Sequence, residues 1–274
     1  MMKGGVKNSQ ELDTASSKIQ QKIGEKLISA LPISGKMSVL DIGSGDGALT
    51  LKLAKRTEGP VVGIDRSPEN LLFSKKQAEN KSISNAIFVE MDPRTMKFDT
   101  QFDVIFSNSR LHLVNGHDHV LRSIKNALKP DGIIGLQFPL VTKATPFIEA
   151  IEKVIKSQDM QGYYSNWTPS WFLPGPEGYG SMLKQAGINA ESRTISDTIN
   201  FSTLEESMQF FNYNILNEYL RLLPESEKPM LVNHVTRNLE EQLKSGEISF
   251  QMERLFVLSN PEKFDLLAES IRKR

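Results

Sequence analysis

Acidic residues stand where apolar runs end, beside a turn that contains three glycines. Asp41 precedes Gly43, Gly45 and Gly47, and Asp65 ends the next apolar run. Asp65 follows the turn by about 20 residues, the spacing from which a carboxylate can accept hydrogen bonds from a ribose diol. Glycine lets the backbone approach a ligand closely, but an acid in the position of Asp41 would repel a pyrophosphate. The pattern therefore predicts a nucleoside cofactor that carries a positive charge.

A dinucleotide is the competing interpretation of the same turn. Gly43, Gly45 and Ala48 also satisfy a loose G-x-G-x-x-A pattern, which is a weak signal alone. Asp65 would serve either cofactor and does not discriminate between them. The next two apolar runs discriminate between the two cofactors, because one run ends near Asp92 and the other ends in the small polar residues 107–108.

At these positions the chain resembles the class I S-adenosylmethionine-dependent methyltransferases. Residues 41–47 form the D-x-G-x-G-x-G motif, and residues 102–105 match the F-D-x-I fourth strand. The resemblance implies an enzyme with S-adenosylmethionine as cofactor and S-adenosylhomocysteine as product. The cofactor-binding residues that it implies are Gln20, Asp41, Gly43, Ser44, Gly45, Asp65, Arg66, Asp92, Pro93, Ser107 and Asn108.

The resemblance also assigns roles to these residues. Asp41 would orient the loop and meet the ammonium side of the cofactor, and Asp65 would take both ribose hydroxyls. Asp92 would accept from the adenine amino group, although the neighbouring Pro93 lacks an N–H that commonly faces this ring. Gln20 would contact the cofactor from an N-terminal helix.

The elements that must position these residues alternate between strand and helix from residue 36 to residue 139. Strands are predicted near 38–41, 61–65, 86–90, 102–107 and 132–138, the last one introduced by a turn at 129–132. This alternation predicts an α/β fold with a doubly wound, Rossmann-like parallel sheet whose ligands bind at the carboxyl ends of the strands. The resemblance implies seven strands, the last of them antiparallel.

The remaining elements surround this predicted core. A lid insertion is predicted from a helix at 146–157 and from the aromatic residues Tyr163, Tyr164, Trp167, Trp171 and Phe172. Further helices are predicted at 177–186, 204–221 and 225–244, with strands at 190–199 and 248–258. The predicted segments are an N-terminal helical segment (1–35), a cofactor-binding core (36–141), the lid (142–176), the rest of the sheet with inserted helices (177–260) and a tail (261–274).

Composition is typical of a cytoplasmic enzyme. Lys plus Arg and Asp plus Glu number 33 each, so no global charge favours nucleic acid or a membrane surface. The sequence contains 0 cysteines, which excludes disulfides and thiolate chemistry. No apolar run approaches the roughly 20 residues of a membrane span. We expect a small-molecule acceptor as partner and no nucleic acid, membrane or metal; the loop at 117–119 is expected to cap a helix, and the oligomeric state stays open.

The C-terminal third narrows the resemblance to methyltransferases that act on carboxylates. Residues 217–225 and 252–258 resemble the trans-aconitate methyltransferase family, and residues 107–114 resemble its relatives that act on juvenile hormone acid and on malonyl-acyl-carrier protein. Leu113 stands where a tryptophan is usual. The resemblance implies O-methylation of a carboxylic acid.

Three residues are the candidates for binding the acceptor. Arg110 and Arg254 could clamp a carboxylate, and His112 could hydrogen-bond the acceptor or deprotonate a hydroxyl. Arg254 is favoured because it would be one charge on an apolar strand face, where it needs an anion: a substrate carboxylate or a nearby glutamate. N- or C-methylation of another metabolite, or a non-catalytic protein that binds S-adenosylmethionine, are the alternatives.

Overall fold

The computed structural model describes residues 15–140, 146–157, 159–167, 174–211, 215–242 and 248–273. The strands are β1 (Val39–Ile42), β2 (Val61–Asp65), β3 (Ala86–Glu90), β4 (Phe102–Asn108), β5 (Leu128–Pro139), β6 (Glu191–Phe201) and β7 (Ile248–Leu258). The helices are α1 (Ala15–Ala30), α2 (Ala48–Ala54), α3 (Pro68–Asn80), α4 (His117–Ala127), α5 (Pro146–Ile155), α6 (Gln161–Tyr164), α7 (Pro176–Gln185), α8 (Leu204–Phe211), α9 (Asn217–Leu220), α10 (Lys228–Gln242) and α11 (Phe264–Arg272).

The strands form one seven-stranded sheet in the order β3-β2-β1-β4-β5-β7-β6. Strands β1 to β5 pair in parallel, whereas β7 lies antiparallel to β5, with Gly135 opposite Leu258 and Pro139 opposite Arg254. The predicted Rossmann-like fold with an antiparallel last strand is confirmed. Because the strand order changes direction beside β1 and β4, their carboxyl ends leave a crevice for a ligand.

Strand β5 begins earlier than the sequence predicts. Phe102 lies opposite Leu128 and Val104 lies opposite Ile133, so one residue of β4 faces the four residues 129–132 of β5. The predicted turn at 129–132 is therefore wrong: these residues form a bulge inside the strand. Proline and glycine fit there because a bulge relieves the demand for ladder hydrogen bonds.

Strands β1 to β5 are covered by apolar side chains on both faces of the sheet. Leu40, Ile105 and Leu136 pack with residues of α4 and α7, whereas Val104 and Phe106 pack with residues of α1 and α11. Side chains on successive strand residues thus alternate between the two layers. Burial on both faces explains why these strands are almost continuously hydrophobic.

The described residues divide into two compact units. The larger unit consists of the described residues within Ile23–Thr142, Ser170–Thr198 and Gln251–Arg274. The smaller unit consists of the described residues within Met1–Lys22, Lys143–Pro169 and Ile199–Phe250. In the smaller unit the rings of Phe147 and Phe211 stack with their centroids 4.2 Å apart.

The aromatic residues of the predicted lid are only partly described. Trp167 packs edge-on against Tyr219 at 4.9 Å between ring centroids, and Tyr164 donates a hydrogen bond to the Tyr219 carbonyl. Tyr163 is exposed. Trp171 and Phe172 lie outside the described residues. The predicted segment boundaries, including the lid at 142–176, stay predictions.

The helices of the C-terminal half differ from the prediction in their bounds. Within the helix predicted at 204–221 the structure describes α8 and α9, and residues 212–214 lie outside the described residues. The helix predicted from residue 225 begins at Lys228, because Pro224 first starts a turn in which Glu227 N–H donates to the Pro224 carbonyl. His117 is the first residue of α4 and Gly116 is its N-cap, so 117–119 is helix and not the predicted capping loop.

Candidate functional site

The glycine-rich turn between β1 and α2 has a backbone that only glycine adopts easily. Gly43, Gly45 and Gly47 all have positive φ, at 78°, 55° and 78°. Gly43 N–H and Ser44 N–H both donate to the Ile64 carbonyl, at 2.7 and 2.9 Å, which fixes the turn against β2. The turn therefore forms a rigid open wall at the carboxyl end of the sheet.

Asp41 is buried under this turn. Its Oδ2 accepts a hydrogen bond of 2.6 Å from Thr50 Oγ1, which ties β1 to α2. Burial raises the pKa of Asp41 to about 7, the nearby carboxylate of Asp65 also raises it, and the Thr50 hydrogen bond and the charge of Arg110 act in the opposite direction. A cation placed here would favour the charged carboxylate.

Asp65 ends β2 and holds the turns on both sides of it. Its Oδ2 accepts from Gly45 N–H at 2.9 Å, and its Oδ1 accepts from Ser67 N–H at 2.9 Å. Asp65 and Arg66 line an open cleft, together with Gly43 from the glycine-rich turn. Each carboxylate oxygen has further lone pairs, so a ribose contact by Asp65 is compatible with these bonds.

The next strand end supplies another wall of the cleft. Met91 and Pro93 line it, and Asp92 lines a neighbouring depression with Arg66. Arg94 forms a forked ion pair with Asp92 at 2.5–3.2 Å. The Arg94 hydrogen bonds lower the pKa of Asp92 to about 2, so this carboxylate is charged at neutral pH.

The end of β4 faces the turn from the other side. Ser107 Oγ donates to the Ile42 carbonyl at 2.7 Å, and both Ser107 and Asn108 are buried. A Cβ added to Gly24 of α1 would lie 3.0 Å from the Asn108 side chain, so the helix passes close to this strand end. Gln20 is half-buried in the same helix.

Arg110 lies along the glycine-rich turn. A Cβ added to Gly43 would come within 2.5 Å of the Arg110 Cβ, and one added to Gly45 within 2.6 Å of its Nη2. The arginine thus lines the cleft beside Gly43. Leu113, which stands in place of the usual tryptophan, lines the same cleft and is 52% exposed.

His112 lies in a 3-10 helix, Leu111–Leu113, and is 3% exposed. Burial, together with the charges of Arg110, His117 and Arg254, lowers its pKa to about 3. The imidazole is therefore neutral, and so weak a base suits a hydrogen bond to an acceptor better than proton removal. Its Nδ1 has no hydrogen-bond partner among the described residues.

Arg254 lies on β7 and is 1% exposed. Its Nε donates to Asp197 Oδ1 of β6 at 3.0 Å, whereas its Nη2 has no partner within the described parts of the chain. Burial lowers the pKa of Arg254, and the charge of Asp197 opposes this shift. The anion at Arg254 is thus an aspartate, and one end of the guanidinium stays available.

The structure brings most of the predicted site residues to one edge of the sheet. Gly43, Asp65 and Arg66, with Pro93 and Arg110, line the cleft, while Asp41 and Ser44 lie buried in or under its turn. Arg254 does not line the cleft. The cofactor contacts and catalytic roles assigned from the sequence stay predictions.

Sequence reasoning missed three residues of this region: Thr50, Gln137 and Asp197. Thr50 lies in α2, which directly follows the strand of Asp41, whereas the positions of Gln137 and Asp197 depend on strand order and register. A signal was present for Asp197, a lone acid between Ile195 and Ile199, which are both buried.

Neither a metal site nor a membrane span is found among the described residues. They contain no group of three or more His, Asp or Glu residues arranged to hold a metal ion. None of the described helices is long and apolar enough to cross a membrane.

The glycine-rich turn, the acids at successive strand ends and the strand order together define a class I methyltransferase. A family profile described as "Methyltransferase domain" matches residues 33–187, more than half of the chain. The chain belongs to this family, and it is an S-adenosylmethionine-dependent methyltransferase.

The chain is also similar to individual proteins across most of its length. Trans-aconitate 2-methyltransferase of Escherichia coli O17:K52:H18 is 25% identical over 241 residues, covering 85% of this chain and 90% of that protein. The crystal structure of YcgJ from Bacillus subtilis has a TM-score of 0.59 at 15% identity, over 87% and 97% of the two chains. Phosphoethanolamine N-methyltransferase 2 of Haemonchus contortus, solved with S-adenosyl-L-methionine, has a TM-score of 0.53 at 18% identity, over 87% and 52%.

The cleft fits S-adenosylmethionine on its own chemistry. A Cβ at Gly43 or Gly45 would collide with the Arg110 side chain, so the close approach to this turn depends on glycine. Asp41 and Asp65 place carboxylates around the turn, as a ligand with a sulfonium and an ammonium requires.

Proposed function

We propose that this enzyme transfers the methyl group to a carboxylate oxygen of a small organic acid. The observation that carries the proposal is Arg254, a fully buried guanidinium whose Nη2 has no partner among the described residues. A buried donor of this kind costs free energy unless it meets an acceptor. The similarity to trans-aconitate 2-methyltransferase supports a substrate carboxylate as the group that accepts this hydrogen bond.

The reaction needs alignment more than acid–base chemistry. A carboxylate oxygen would bond to the methyl carbon while the carbon–sulfur bond breaks, its electron pair staying on sulfur, so a methyl ester forms and no proton moves. The protein must hold the acid in line and exclude water. The neutral imidazole of His112 suits this reaction, because no general base is required.

The proposed contacts are those that the sequence resemblance implies. Asp41 would favour the ammonium side of the cofactor, and Asp65 would accept from the ribose. Asp92 would accept a hydrogen bond from the adenine amino group, through a carboxylate oxygen that Arg94 releases or that accepts from both groups. Ser107, Asn108 and Gln20 would complete the methionyl side. Arg254, with Arg110 and His112, would hold the acid.

The test is a kinetic comparison in an Asp197→Asn background, so that loss of the arginine leaves no unpaired carboxylate. Adding Arg254→Met to this background should raise the KM for the acid by about 10- to 100-fold, the loss expected for one charge-assisted pair. Affinity for S-adenosylhomocysteine, measured by calorimetry, should not change. An unaltered KM, or an equal loss of cofactor affinity, would assign Arg254 to a structural ion pair.

A further inference from the structure

Gln137 is a buried polar side chain that has no role in the proposed methyl transfer. It lies near the carboxyl end of β5 and is 0% exposed. Its Oε1 accepts a hydrogen bond of 2.9 Å from Ser109 Oγ, and its backbone carbonyl accepts from Ser109 N–H at 2.8 Å. The Ser109 hydroxyl therefore orients the amide, with its oxygen toward Ser109.

The amide nitrogen of Gln137 has no partner among the described residues. Nε2 carries two donor hydrogens, and neither finds an acceptor there. Burying an amide nitrogen without a hydrogen bond is unfavourable. A buried group that stays unpaired in one state of a protein is a candidate for pairing with a ligand in another.

Strand register places Gln137 and Arg254 on the same face of the sheet. Gln137 lies opposite Phe256 and Pro139 lies opposite Arg254 in the antiparallel pair β5–β7. Opposite residues share a face, and residues two apart on one strand share it too, so Gln137 and Arg254 are diagonal neighbours. Such neighbours are about 7–8 Å apart, within reach of long side chains.

The two side chains offer donors of the same kind. Asp197 occupies Nε of Arg254, which leaves Nη2 available, and Ser109 occupies Oε1 of Gln137, which leaves Nε2 available. Because both available groups are donors, they cannot satisfy each other. A ligand that satisfies both must accept two hydrogen bonds, as a carboxylate can with its two oxygens.

These donors lie close to the cleft. Gln137 lies opposite Asn108 in the β4–β5 pair, and its hydrogen-bond partner Ser109 is followed directly by Arg110. Arg110 lines the cleft that carries the glycine-rich turn. An acid bound to Gln137 and Arg254 would therefore lie beside the proposed cofactor position.

We propose that Gln137 is a second donor to the carboxylate of the acceptor, alongside Nη2 of Arg254. The inference rests on the proposed function. Asp197 and Ser109 are positioning residues in this arrangement. Asp197 binds Nε of Arg254 and Ser109 binds Oε1 of Gln137, the atoms that the acid does not contact. A neutral donor adds directional recognition without another charge to bury, and Asp197 already balances the charge of Arg254.

The test measures binding without turnover. Calorimetry with saturating S-adenosylhomocysteine gives the Kd of trans-aconitate, citrate and succinate for the wild type and for Gln137→Glu. This variant keeps an oxygen for Ser109 but replaces the donor with an acceptor that can pair with Arg254. We expect the Kd of the bound acid to rise at least 10-fold and the Kd of S-adenosylhomocysteine to change less than 2-fold.

Two further variants separate ligand binding from a structural role. Gln137→Met removes both polar atoms of the amide at similar volume. It should weaken acid binding about as much as Gln137→Glu does, and it provides the test if the buried glutamate prevents folding. Ser109→Ala should have a smaller effect. If Gln137 acted only through Ser109, Gln137→Glu would bind the acid as the wild type does, and Ser109→Ala would resemble Gln137→Met.

The outcomes distinguish the two proposals. If the wild type binds acid and both Gln137 variants bind it equally well, the inference is wrong and the proposed function stands; two unpaired donors bridged by a buried water would give this result. If the wild type binds none of the three acids and its methyl-labelled product is stable to base, both are wrong.

Discussion

Single residues set the chemistry of the cleft through burial and neighbouring charge. Asp41, Asp92 and His112 have their pKa values moved to about 7, about 2 and about 3 by different causes: burial for Asp41 and His112, and the Arg94 hydrogen bonds for Asp92. The site thus combines one carboxyl that titrates near neutral pH, one fixed anion and one neutral imidazole. Such contrasts are typical of functional sites.

The raised pKa of Asp41 predicts how stability depends on pH. The folded state holds the Asp41 proton up to about pH 7, whereas the unfolded chain releases it near 3.8. The stability that Asp41 contributes is therefore complete below about pH 4 and is lost as the pH rises to about 7. Urea unfolding at pH 4.5 to 8 should show the stability of the wild type falling relative to Asp41→Asn across this range. A constant difference would contradict the burial of a protonated Asp41.

Asp65 is expected to dominate cofactor affinity. Asp65→Ala removes the acceptor of Gly45 N–H and the proposed partner of the ribose, so S-adenosylhomocysteine should bind weaker by roughly 2 to 4 kcal/mol. Asp92→Ala is the control, because its carboxylate is already paired with Arg94, and its effect should be smaller. Calorimetry measures both. Wild-type affinity in a folded Asp65→Ala would contradict the assignment.

The sequence predicted which acids belong to the site but not what they contact. Asp41 and Asp65 stand at fixed distances from the glycines, so a motif locates them. Their partners Thr50 and Ser67 follow from local geometry, but Asp197 meets Arg254 only through the order of β6 and β7. Gln137 gave no signal, because a glutamine in a buried strand becomes noticeable only when its neighbours are known.

At the scale of elements, the β1–α2 turn is the part of the site that tolerates least change. Gly47 is the N-cap of α2 with φ 78°, and a Cβ there would lie 2.7 Å from Ser74 Cβ. Gly47→Ala should lower the free energy of unfolding by about 1 to 3 kcal/mol, from backbone strain and this contact. The measurement is urea unfolding.

Gly162→Ala is the matched control for this substitution. Gly162 lies in α6, has no positive φ, and a Cβ there would meet nothing within 4 Å. Alanine is also the better helix former, so this variant should be as stable as the wild type or slightly more stable. Equal destabilisation by both substitutions would show that the loss at Gly47 is not specific to the turn.

The elements were predictable where the pattern was regular. Strands and helices alternate from β1 to β5, and the prediction located each of these strands within a few residues, apart from the early start of β5 at Leu128. That start depends on a bulge, which no periodicity reveals. In the C-terminal half, the helix predicted from residue 225 begins at Lys228, because apolar spacing does not show that Pro224 first starts a turn.

At the scale of the whole molecule, ligand binding should appear as a gain in stability. A ligand present at 100 times its Kd stabilises the folded state by about 2.7 kcal/mol, and for a chain of this size each kcal/mol raises Tm by about 2–4 °C. S-adenosylhomocysteine should therefore raise Tm by about 5–10 °C, and NAD at the same concentration should not. A larger shift with NAD would contradict the cofactor.

The central claim is that the methyl group of S-adenosylmethionine reaches a carboxylate oxygen. The most direct measurement incubates the protein and an acid with methyl-labelled S-adenosylmethionine, isolates the labelled product and treats it with mild base. A methyl ester hydrolyses and releases the label as methanol, so we predict that the label is lost from the product and recovered as methanol. A labelled product that keeps its methyl group in base would show transfer to nitrogen or carbon and would contradict the account.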